Sequence, residues 1–279
     1  MTVLIAGCGD LGTEAGLRFF EAGHRVVGWR RHPLNLPAPI EGQAVDLAAA
    51  LPRIPADTSI VIIATAAGER TEVAYRSAYL DVVRNVLDAI DRDDVRPDRV
   101  LFVSSTAVYG VRGGLVDERT PAHPTVATAR ILLETEELLH ARRPDAIVLR
   151  LSGIYGPGRT RLIDQVNSGT ARTPAHSQYT NRIHRDDAAE AIVQLTTRVR
   201  SPRGLYLGTD DEPAELGEVL GFLATELHRP VPPLDDSRGE PVTKRCSNAL
   251  LRQTGFECAY PTYREGYRAV LAGIGTRHY

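Results

Sequence analysis

The sequence predicts an α/β protein with a doubly wound parallel sheet and a smaller C-terminal substrate lobe. Apolar, β-branched runs recur between residues 2 and 209, segments with helical spacing separate them, and a glycine turn follows the first run. Runs that are apolar on both sides are typical of parallel strands that helices cover on both faces. Ligands of such sheets bind at the carboxyl ends of the strands.

The apolar runs predict strands over TVLIAG (2–7), HRVVGW (24–29), SIVIIAT (59–65), RVLFVSS (99–105), AIVLRLS (146–152) and GLYLGT (204–209). Helical spacing predicts helices over 11–22, 73–90 and 125–141. After Ser152 the chain becomes rich in loops, with a short helix over 214–227. We therefore predict a dinucleotide-binding domain over 1–156, continued by 177–209, and a substrate-binding lobe formed by 157–176 and 210–279.

Charge and cysteine content exclude several classes of protein. The net charge is -2, with 33 basic and 35 acidic residues interspersed, so neither nucleic acid nor a membrane surface is an expected partner. The three cysteines lack a CxxC spacing, so we expect no disulfide framework and no metal site. The apolar start MTVLIAG is too short for a signal peptide or a membrane span, which predicts a cytoplasmic protein.

The segment AGCGDLGTEAG places Gly7, Gly9 and Gly12 in a GxGxxG motif between a strand and a helix. The first glycine permits a tight turn, the second lets the backbone approach a pyrophosphate, and the third lets helix and strand pack closely. The helix N-terminus supplies N–H donors to the anion. The motif in this position predicts a Rossmann dinucleotide site.

Two arginines, Arg30 and Arg31, follow the second strand where an NAD-binding unit usually has an acidic residue. Guanidinium groups pair with a ribose 2′-phosphate, so we expect NADP, with NAD less favoured. The alternative is that both arginines are solvated surface charges. Asp46 is a candidate acceptor for the adenine amino group, or else it caps a short following helix.

Four blocks resemble the extended short-chain dehydrogenase/reductases of the NAD(P)-dependent epimerase/dehydratase family, in that family's order. They are FVSSTAVYG (102–110), LRLSGIYGPGR (150–159), NRIHRDDAAEAI (181–192) and SNALLRQTGF (247–256). The glycine turn and YPTYREGY (260–267) further resemble an atypical bacterial subgroup. The resemblance implies cofactor contacts from Asp10, Leu11, Leu47, Ala64 and Arg130, besides the residues above. It also implies a homodimer in which the helices over 73–90 and 125–141 pair across a two-fold axis.

Active relatives use a Ser or Thr, a Tyr and, four residues later, a Lys. The resemblance places Ser105 at the first position, Val126 at the tyrosine and Arg130 at the lysine. Arg130 can still donate to ribose hydroxyls, but Val126 can transfer no proton. A shifted alignment does not restore the pair, because Lys244 is the single lysine and Glu240 lies four residues before it.

Candidate replacements for the missing acid are Tyr109, Tyr155 and His184, and the two tyrosines are preferred. Each has a structural alternative, as a packed aromatic or a hydrogen-bonded histidine. His123 and His176 are further candidates that, by default, are surface residues.

Four charged residues of the later blocks have open roles. Asp186 and Asp187 are expected to cap the helix that follows them. Arg159 and Arg161 are candidate ligands for an anionic substrate, or else exposed loop charges.

Two hypotheses for function follow. The first is an NADP-dependent oxidoreductase or epimerase-like enzyme acting on a small polar carbonyl, imine or nucleotide-sugar-type substrate, with a non-standard proton donor. The second is a catalytically silent NADP(H)-binding sensor that controls a partner protein. The retained blocks GIYGPGR and NRIHRDD favour the enzyme, because a sensor has no need of an active-site roof.

Overall fold

A parallel sheet organises the chain and confirms the predicted doubly wound fold. The structure is a computed structural model that describes residues 1–235 and 241–278. Within these ranges seven strands form the sheet in the order β7-β6-β5-β4-β1-β2-β3, with every neighbouring pair parallel. The strands are β1 (Thr2–Ala6), β2 (Arg25–Arg30), β3 (Ile40–Ala44), β4 (Thr58–Ile63), β5 (Arg99–Ser105), β6 (Ile147–Leu151) and β7 (Leu205–Gly208).

Helices connect these strands and form the lobe. They are α1 (Asp10–Glu21), α2, α3 (Ala127–Arg142), α4 (Arg161–Asn167), α5 (Arg185–Val193), α6 (Leu216–Glu226), α7 (Ala249–Arg252) and α8 (Tyr263–Leu271). Helix α2 comprises an α-helical turn (Glu72–Tyr75), a π-helical segment (Arg76–Asp81) and a second α-helical segment (Val82–Arg92). A π-helical segment (Gln194–Arg198) follows α5, and 3₁₀ turns occupy Pro33–Asn35 and Thr106–Val108.

Short strand pairs tie the later segments to one another. Leu115–Val116 pairs with Arg245–Cys246, and Gly153–Tyr155 pairs with Arg182–His184. Thr173–Pro174 pairs with Leu234–Asp235, and Tyr179–Thr180 pairs with Ala214–Glu215. The pairing of residues 245–246 with residues 115–116 brings the C-terminal segment beside the loop that follows β5.

Strand β3 is the one strand of the seven-stranded sheet that the sequence analysis did not predict. Its sequence IEGQA contains no apolar run, and Ile40 is its one buried residue. A strand at the edge of a sheet has one neighbour and need not bury both faces. The hydrophobic pattern therefore carried no signal for it.

Three apolar clusters hold the layers together. One lies between the sheet and helices α2 and α3, and the second lies between the sheet and helices α1 and α5. The third is separate and joins Tyr155 and Ile163 to Leu220, Tyr263 and Tyr267, which belong to α6 and α8. This third cluster is the core of a lobe that lies mostly after residue 152. The predicted domain boundaries stay a prediction.

A buried polar network joins α3 to strands β5 and β6. Glu136 accepts hydrogen bonds from Ser104 Oγ at 2.5 Å and from Arg150 Nη2 at 2.5 Å. The side chains of Arg150 and Glu136 are 6% and 5% exposed. The guanidinium also lies over the Tyr109 ring, 4.8 Å from its centroid. Two opposite charges at this depth satisfy one another and fix the position of α3 against the end of β5.

We expect Glu136→Gln to lower the free energy of unfolding by about 3–5 kcal/mol, because it leaves Arg150 charged and unpaired in the interior. The control is Glu134→Gln, two residues earlier on α3, which removes an exposed pair with Arg76 and should cost at most about 1 kcal/mol. Urea unfolding followed by circular dichroism measures both. Equal losses in the two variants would contradict the role given to the buried pair.

Candidate functional site

The glycine turn lies where the strand order reverses, between β1 and β4. Gly7 has a φ of +91°, and a Cβ there would lie 2.8 Å from the carbonyl carbon of Ala64. A Cβ on Gly12 would lie 2.8 Å from the Gly7 carbonyl oxygen and 3.0 Å from Ile5 Cγ2. A Cβ on Gly9 would meet nothing within 4 Å. Gly7 and Gly12 therefore meet a steric requirement of the fold, whereas Gly9 faces space that a ligand can enter.

Helix α1 begins at this turn without a side-chain cap, so its first N–H groups are available to an anion. Asp10 occupies its first position, where a carboxylate would oppose a phosphate. However, Asp10 accepts from Arg159 Nε at 2.8 Å, from Arg185 Nη1 at 2.9 Å and from the His278 amide at 3.2 Å. Its negative charge is thus compensated within the protein, and Leu11 beside it is buried.

Arg30 lies at the carboxyl end of β2, near the glycine turn. Burial raises the pKa of Cys8 to about 11, and the positive charge of Arg30 opposes this rise. Because Cys8 belongs to the glycine turn, this effect indicates that the Arg30 guanidinium is close to the turn. Arg30 Nη1 is buried and has no hydrogen-bonding partner among the residues described. A buried cationic N–H without an acceptor is costly, so the site fits an anionic group. Arg31, the next residue, is exposed.

Asp46 and Leu47 follow β3 on the same side of the sheet as the end of β2. The Asp46 carboxylate is exposed and accepts the Ala48 amide at 3.0 Å, so it orders its own turn. Leu47 is 8% exposed and belongs to the core. The predicted short helix after Asp46 is wrong, because residues 47–49 form a turn and the next helix begins at Glu72. Contact of either residue with a nucleotide stays a prediction.

The helix that should carry the tyrosine and lysine begins one residue after Val126. Val126 is the N-cap residue of α3 and is 55% exposed. Arg130 is exposed, and its Nη2 reaches back to the Thr125 carbonyl at 3.4 Å. Among these side chains none can release a proton near neutral pH. The structure therefore leaves the proton donor to another group.

Ser105 ends β5, at the carboxyl edge of the sheet. It is half-buried, and its Oγ accepts the Ala107 amide at 3.2 Å, which leaves its own O–H free to donate. Tyr109 is 1% exposed, and its hydroxyl donates to the Asp117 carbonyl at 3.2 Å. Burial raises the pKa of Tyr109. Of these two candidates, Ser105 keeps the freer hydrogen-bonding capacity.

Tyr155 lies inside the lobe core, against Gly266 of α8. It is 5% exposed and donates to the Thr262 carbonyl at 3.4 Å. Burial raises its pKa. Any side chain at position 266 would overlap the Tyr155 hydroxyl, so Gly266 is the residue that this packing requires. Tyr155 makes the contacts of a structural aromatic, and a catalytic role for it stays a prediction.

His184 is fully buried and caps α5. Its Nδ1 accepts the Asp186 amide at 3.3 Å, so the neutral ring carries its proton on Nε2. That Nε2 has no partner among the described residues. Burial holds the pKa of His184 well below its ordinary value, so the ring is neutral at physiological pH.

The prediction that Asp186 and Asp187 cap α5 is wrong, because His184 takes that position. Asp187 instead accepts the amides of Ala259 and Tyr260 at 2.8 and 3.1 Å, and burial raises its pKa to about 6. It therefore ties α5 to the segment that leads into α8. A histidine cap was not foreseen because Ser, Thr, Asp and Asn are the usual N-cap residues.

Arg182 and Asp210 are two buried charged residues that the sequence did not reveal, and the Asp210 amide donates to the Arg182 carbonyl at 2.7 Å. Neither Asp210 oxygen accepts a hydrogen bond within ordinary geometry from the described residues, and Arg182 Nη1 likewise has no acceptor there. Both residues are less than 6% exposed. Burial raises the pKa of Asp210 to about 8, against the opposing charge of Arg182. The carboxyl is therefore largely neutral at pH 7.

A cleft of about 660 Å³ opens beside α4 and includes Arg159 and Arg161 in its wall. Arg161 is exposed, whereas Arg159 is half-buried because it also binds Asp10. His123 and His176 are exposed, as the default interpretation expected. No sequence pattern predicted where Lys244 lies. Its Nζ contacts the Thr106 and Tyr109 carbonyls at the carboxyl end of β5.

Two negative findings apply to residues 1–235 and 241–278. No group of three or more His, Cys, Asp or Glu side chains is arranged to hold a metal ion. None of the helices there is both long enough and apolar enough to cross a membrane.

We expect the contribution of Asp210 to the free energy of unfolding to fall as the pH rises from about 4 to about 8. Across this window the folded protein keeps a proton on Asp210 that the unfolded chain releases, because an unfolded Asp titrates near 3.9. One proton gives a slope of at most about 1.4 kcal/mol per pH unit. Asp210→Asn should flatten this slope and gain stability relative to the wild type as the pH rises. Parallel slopes for the two proteins in urea titrations would contradict the assignment.

Comparison with known proteins places this geometry in a family. The model of the NAD-dependent epimerase/dehydratase family matches residues 3–207. Protein YeeZ of Escherichia coli is 28% identical over 193 residues, which span 66% of this chain and 65% of YeeZ.

Solved structures agree. A structure from Methylobacillus flagellatus, described as an NAD-dependent epimerase/dehydratase, has a TM-score of 0.79 at 34% identity and covers 98% of both chains. The UDP-glucuronic acid 4-epimerase of Bacillus cereus, in complex with UDP-glucuronic acid and NAD, has a TM-score of 0.82 at 19% identity over 98% of both chains. That identity supports the fold alone. From the family match and the relative at 34% identity, the chain belongs to the NAD-dependent epimerase/dehydratase family.

Proposed function

We propose that the protein is an NADP-dependent oxidoreductase or epimerase-type enzyme that acts on a small polar carbonyl, imine or nucleotide-sugar-type compound. The observation that carries the proposal is the cationic Arg30 beside the glycine turn, with a buried N–H that lacks an acceptor among the described residues. An enzyme that used NAD would have no need of a cation there, since the ribose 2′-hydroxyl is bound by an acidic residue.

The cofactor would be held by two groups of residues. The backbone of Gly7 and Gly9 and the N-terminus of α1 would bind the pyrophosphate, and Arg30 with Arg31 would bind the 2′-phosphate. Compensation of Asp10 by Arg159 and Arg185 supports this arrangement, since an uncompensated carboxylate would repel the phosphates. When bound, the nicotinamide would supply or accept a hydride.

Ser105 is the group that we assign to the substrate oxygen. Its O–H is free to donate at the carboxyl end of β5. A serine hydroxyl is too weak an acid to protonate the substrate, so its part is to orient the oxygen. Arg159 and Arg161 in the α4 cleft fit an anionic substrate, and the diphosphate of a nucleotide sugar is a group of that charge.

The second candidate is an NADP(H)-binding sensor without turnover. The observation that favours it is the state of Tyr109 and Tyr155, both buried with hydroxyls bonded to backbone carbonyls. Proton transfer from either would require that bond to be broken. A sensor would bind NADPH and show no oxidation of it with any carbonyl or imine.

We further propose a homodimer formed by α2 and α3. These helices lie on one face of the sheet, where exposed residues Arg76 and Glu134 join them. Val73, at the start of α2, is 80% exposed, which is unusual for a branched apolar side chain.

We expect Arg30→Ala to weaken NADPH binding by about 10- to 100-fold and to leave NADH binding unchanged, because a charge-assisted hydrogen bond to the 2′-phosphate is lost. Isothermal titration calorimetry with both nucleotides measures this. Arg25→Ala is the control, since Arg25 lies at the other end of β2 and pairs with Glu41. No binding of NADPH to the wild type, or equal loss for both nucleotides, would overturn the cofactor assignment.

We expect light scattering at micromolar concentration to give about twice the chain mass of 30.4 kDa. Val73→Glu should shift the protein toward monomer, because it introduces a charge into the proposed contact. Leu34→Glu is the matched control, as Leu34 is 97% exposed and lies outside α2 and α3. A monomeric wild type would remove the dimer proposal.

A further inference from the structure

The single lysine of the chain, Lys244, contacts the turn that follows Ser105. Lys244 Nζ donates to the Tyr109 carbonyl at 3.0 Å and to the Thr106 carbonyl at 3.4 Å. Thr106 directly follows Ser105 at the carboxyl end of β5. The ammonium group therefore sits on the turn that carries the proposed substrate-binding hydroxyl.

The backbone on both sides of Lys244 is anchored. The Thr243 amide donates to the Arg112 carbonyl at 2.6 Å, and the Arg245 amide donates to the Gly114 carbonyl at 2.9 Å. The Lys244 carbonyl accepts Asn181 Nδ2 at 3.1 Å. These hydrogen bonds fix the Cα position of Lys244. The tertiary fold therefore holds the start of its side chain beside the end of β5.

The environment of Lys244 favours proton transfer. An ammonium has three N–H donors, and the two carbonyls are its partners among the described residues, so one N–H remains for another acceptor. Burial lowers the pKa of Lys244 toward neutrality. Cys246 is the titratable neighbour that opposes this shift, but burial raises the pKa of Cys246 and keeps the thiol neutral. A lysine whose pKa is lowered is a stronger acid than an exposed lysine, which favours proton donation.

We propose that Lys244 is the proton donor that replaces the absent tyrosine, with its ammonium bound to the substrate oxygen that Ser105 orients. This inference rests on the proposed function. In the reducing direction an Nζ–H bond breaks as an O–H bond forms on the carbonyl oxygen. The reduced dinucleotide, when bound, would supply the hydride that the carbonyl carbon needs for C=O to become CH–OH. The neutral amine then takes a proton from water.

Because the chain has one lysine, amine-directed labelling observes it without interference from other side chains. Reductive methylation with ¹³C-formaldehyde should give one lysine resonance, assigned by its loss in Lys244→Met, and one from the α-amino group. We expect the lysine resonance to titrate below about 10.4 and to shift when NADP⁺ is added. An ordinary titration with no response to saturating NADP⁺ would overturn the proposal.

Turnover distinguishes proton transfer from a structural clamp. Lys244→Arg keeps the charge and the bonds to the turn but cannot release a proton. We expect Lys244→Arg and Lys244→Met both to lose about 10²–10⁴-fold in kcat for NADPH oxidation with a carbonyl panel, at unchanged NADPH affinity and thermal stability. Arg245→Met, on the same segment with its guanidinium over Tyr179, should retain activity. Full activity in Lys244→Arg would reduce Lys244 to a clamp.

The pH profile gives a further readout. The wild-type kcat for reduction should fall as the pH rises through the pKa of Lys244, because the acid loses its proton. Cys246→Ser should keep this alkaline limb, which excludes the thiol as its source.

The two proposals fail in different ways. If NADPH binds and Lys244→Met reduces carbonyls at the wild-type rate, the lysine proposal is overturned and the enzyme proposal stands. If the wild type binds no NADPH, the cofactor assignment fails first and this inference falls with it. If NADPH binds, the panel gives no turnover and NADP⁺ leaves the lysine resonance unchanged, Lys244 has no catalytic role.

Discussion

The close approach of α1 to the first strand is the constraint on which the rest of the site depends. A Cβ on Gly12 would lie 2.8 Å from the Gly7 carbonyl oxygen, so the helix can pack at this distance with no side chain between the two. The approach directs the N-terminus of α1 at the space between β1 and β4. The other residues of the site, such as Arg30 and Ser105, lie at the carboxyl ends of neighbouring strands around this space.

The two halves of the site differ in how far they keep the family pattern. On the cofactor side the glycine turn and a cation at the end of β2 are present. On the proton-transfer side the helix α3 contributes no acid, yet it remains fixed to β5 and β6 through Glu136 and Arg150. Helix α3 is thus firmly packed on the sheet, although Val126 and Arg130 at its start supply no acid. The end of β5 is also contacted from the C-terminal segment, where Lys244 donates to the carbonyls of Thr106 and Tyr109.

Local patterns predicted much of the fold, and long-range contacts explain what they missed. The run RVLFVSS gave β5 to the residue, and the glycine motif gave the start of α1 within one residue. Strand β3 was missed because an edge strand need not be apolar on both faces. The glycine turn was predictable because its residues are neighbours in sequence.

The positions of the buried polar residues could not be predicted from local sequence patterns. Glu136 is one of several acidic residues on α3, and its burial depends on Arg150 and Ser104, which lie on two strands. From its residue type, Lys244 is expected to lie on the surface. Its contact with Thr106 depends on the pairing of residues 245–246 with residues 115–116. No spacing rule connects positions 138 residues apart.

The three bonds that neutralise Asp10 have a kinetic meaning. They span 149, 175 and 268 residues of sequence, so they close some of the longest loops in the chain. Contacts of such high sequence separation cost the most loop-closure entropy and slow folding. The first turn of α1 can form early, but its compensating arginines arrive only when residues 159 and 185 dock, and the His278 amide only when the C-terminal segment docks. The compensated N-terminus of α1 is therefore a late product of folding, complete only when the whole tertiary structure has formed.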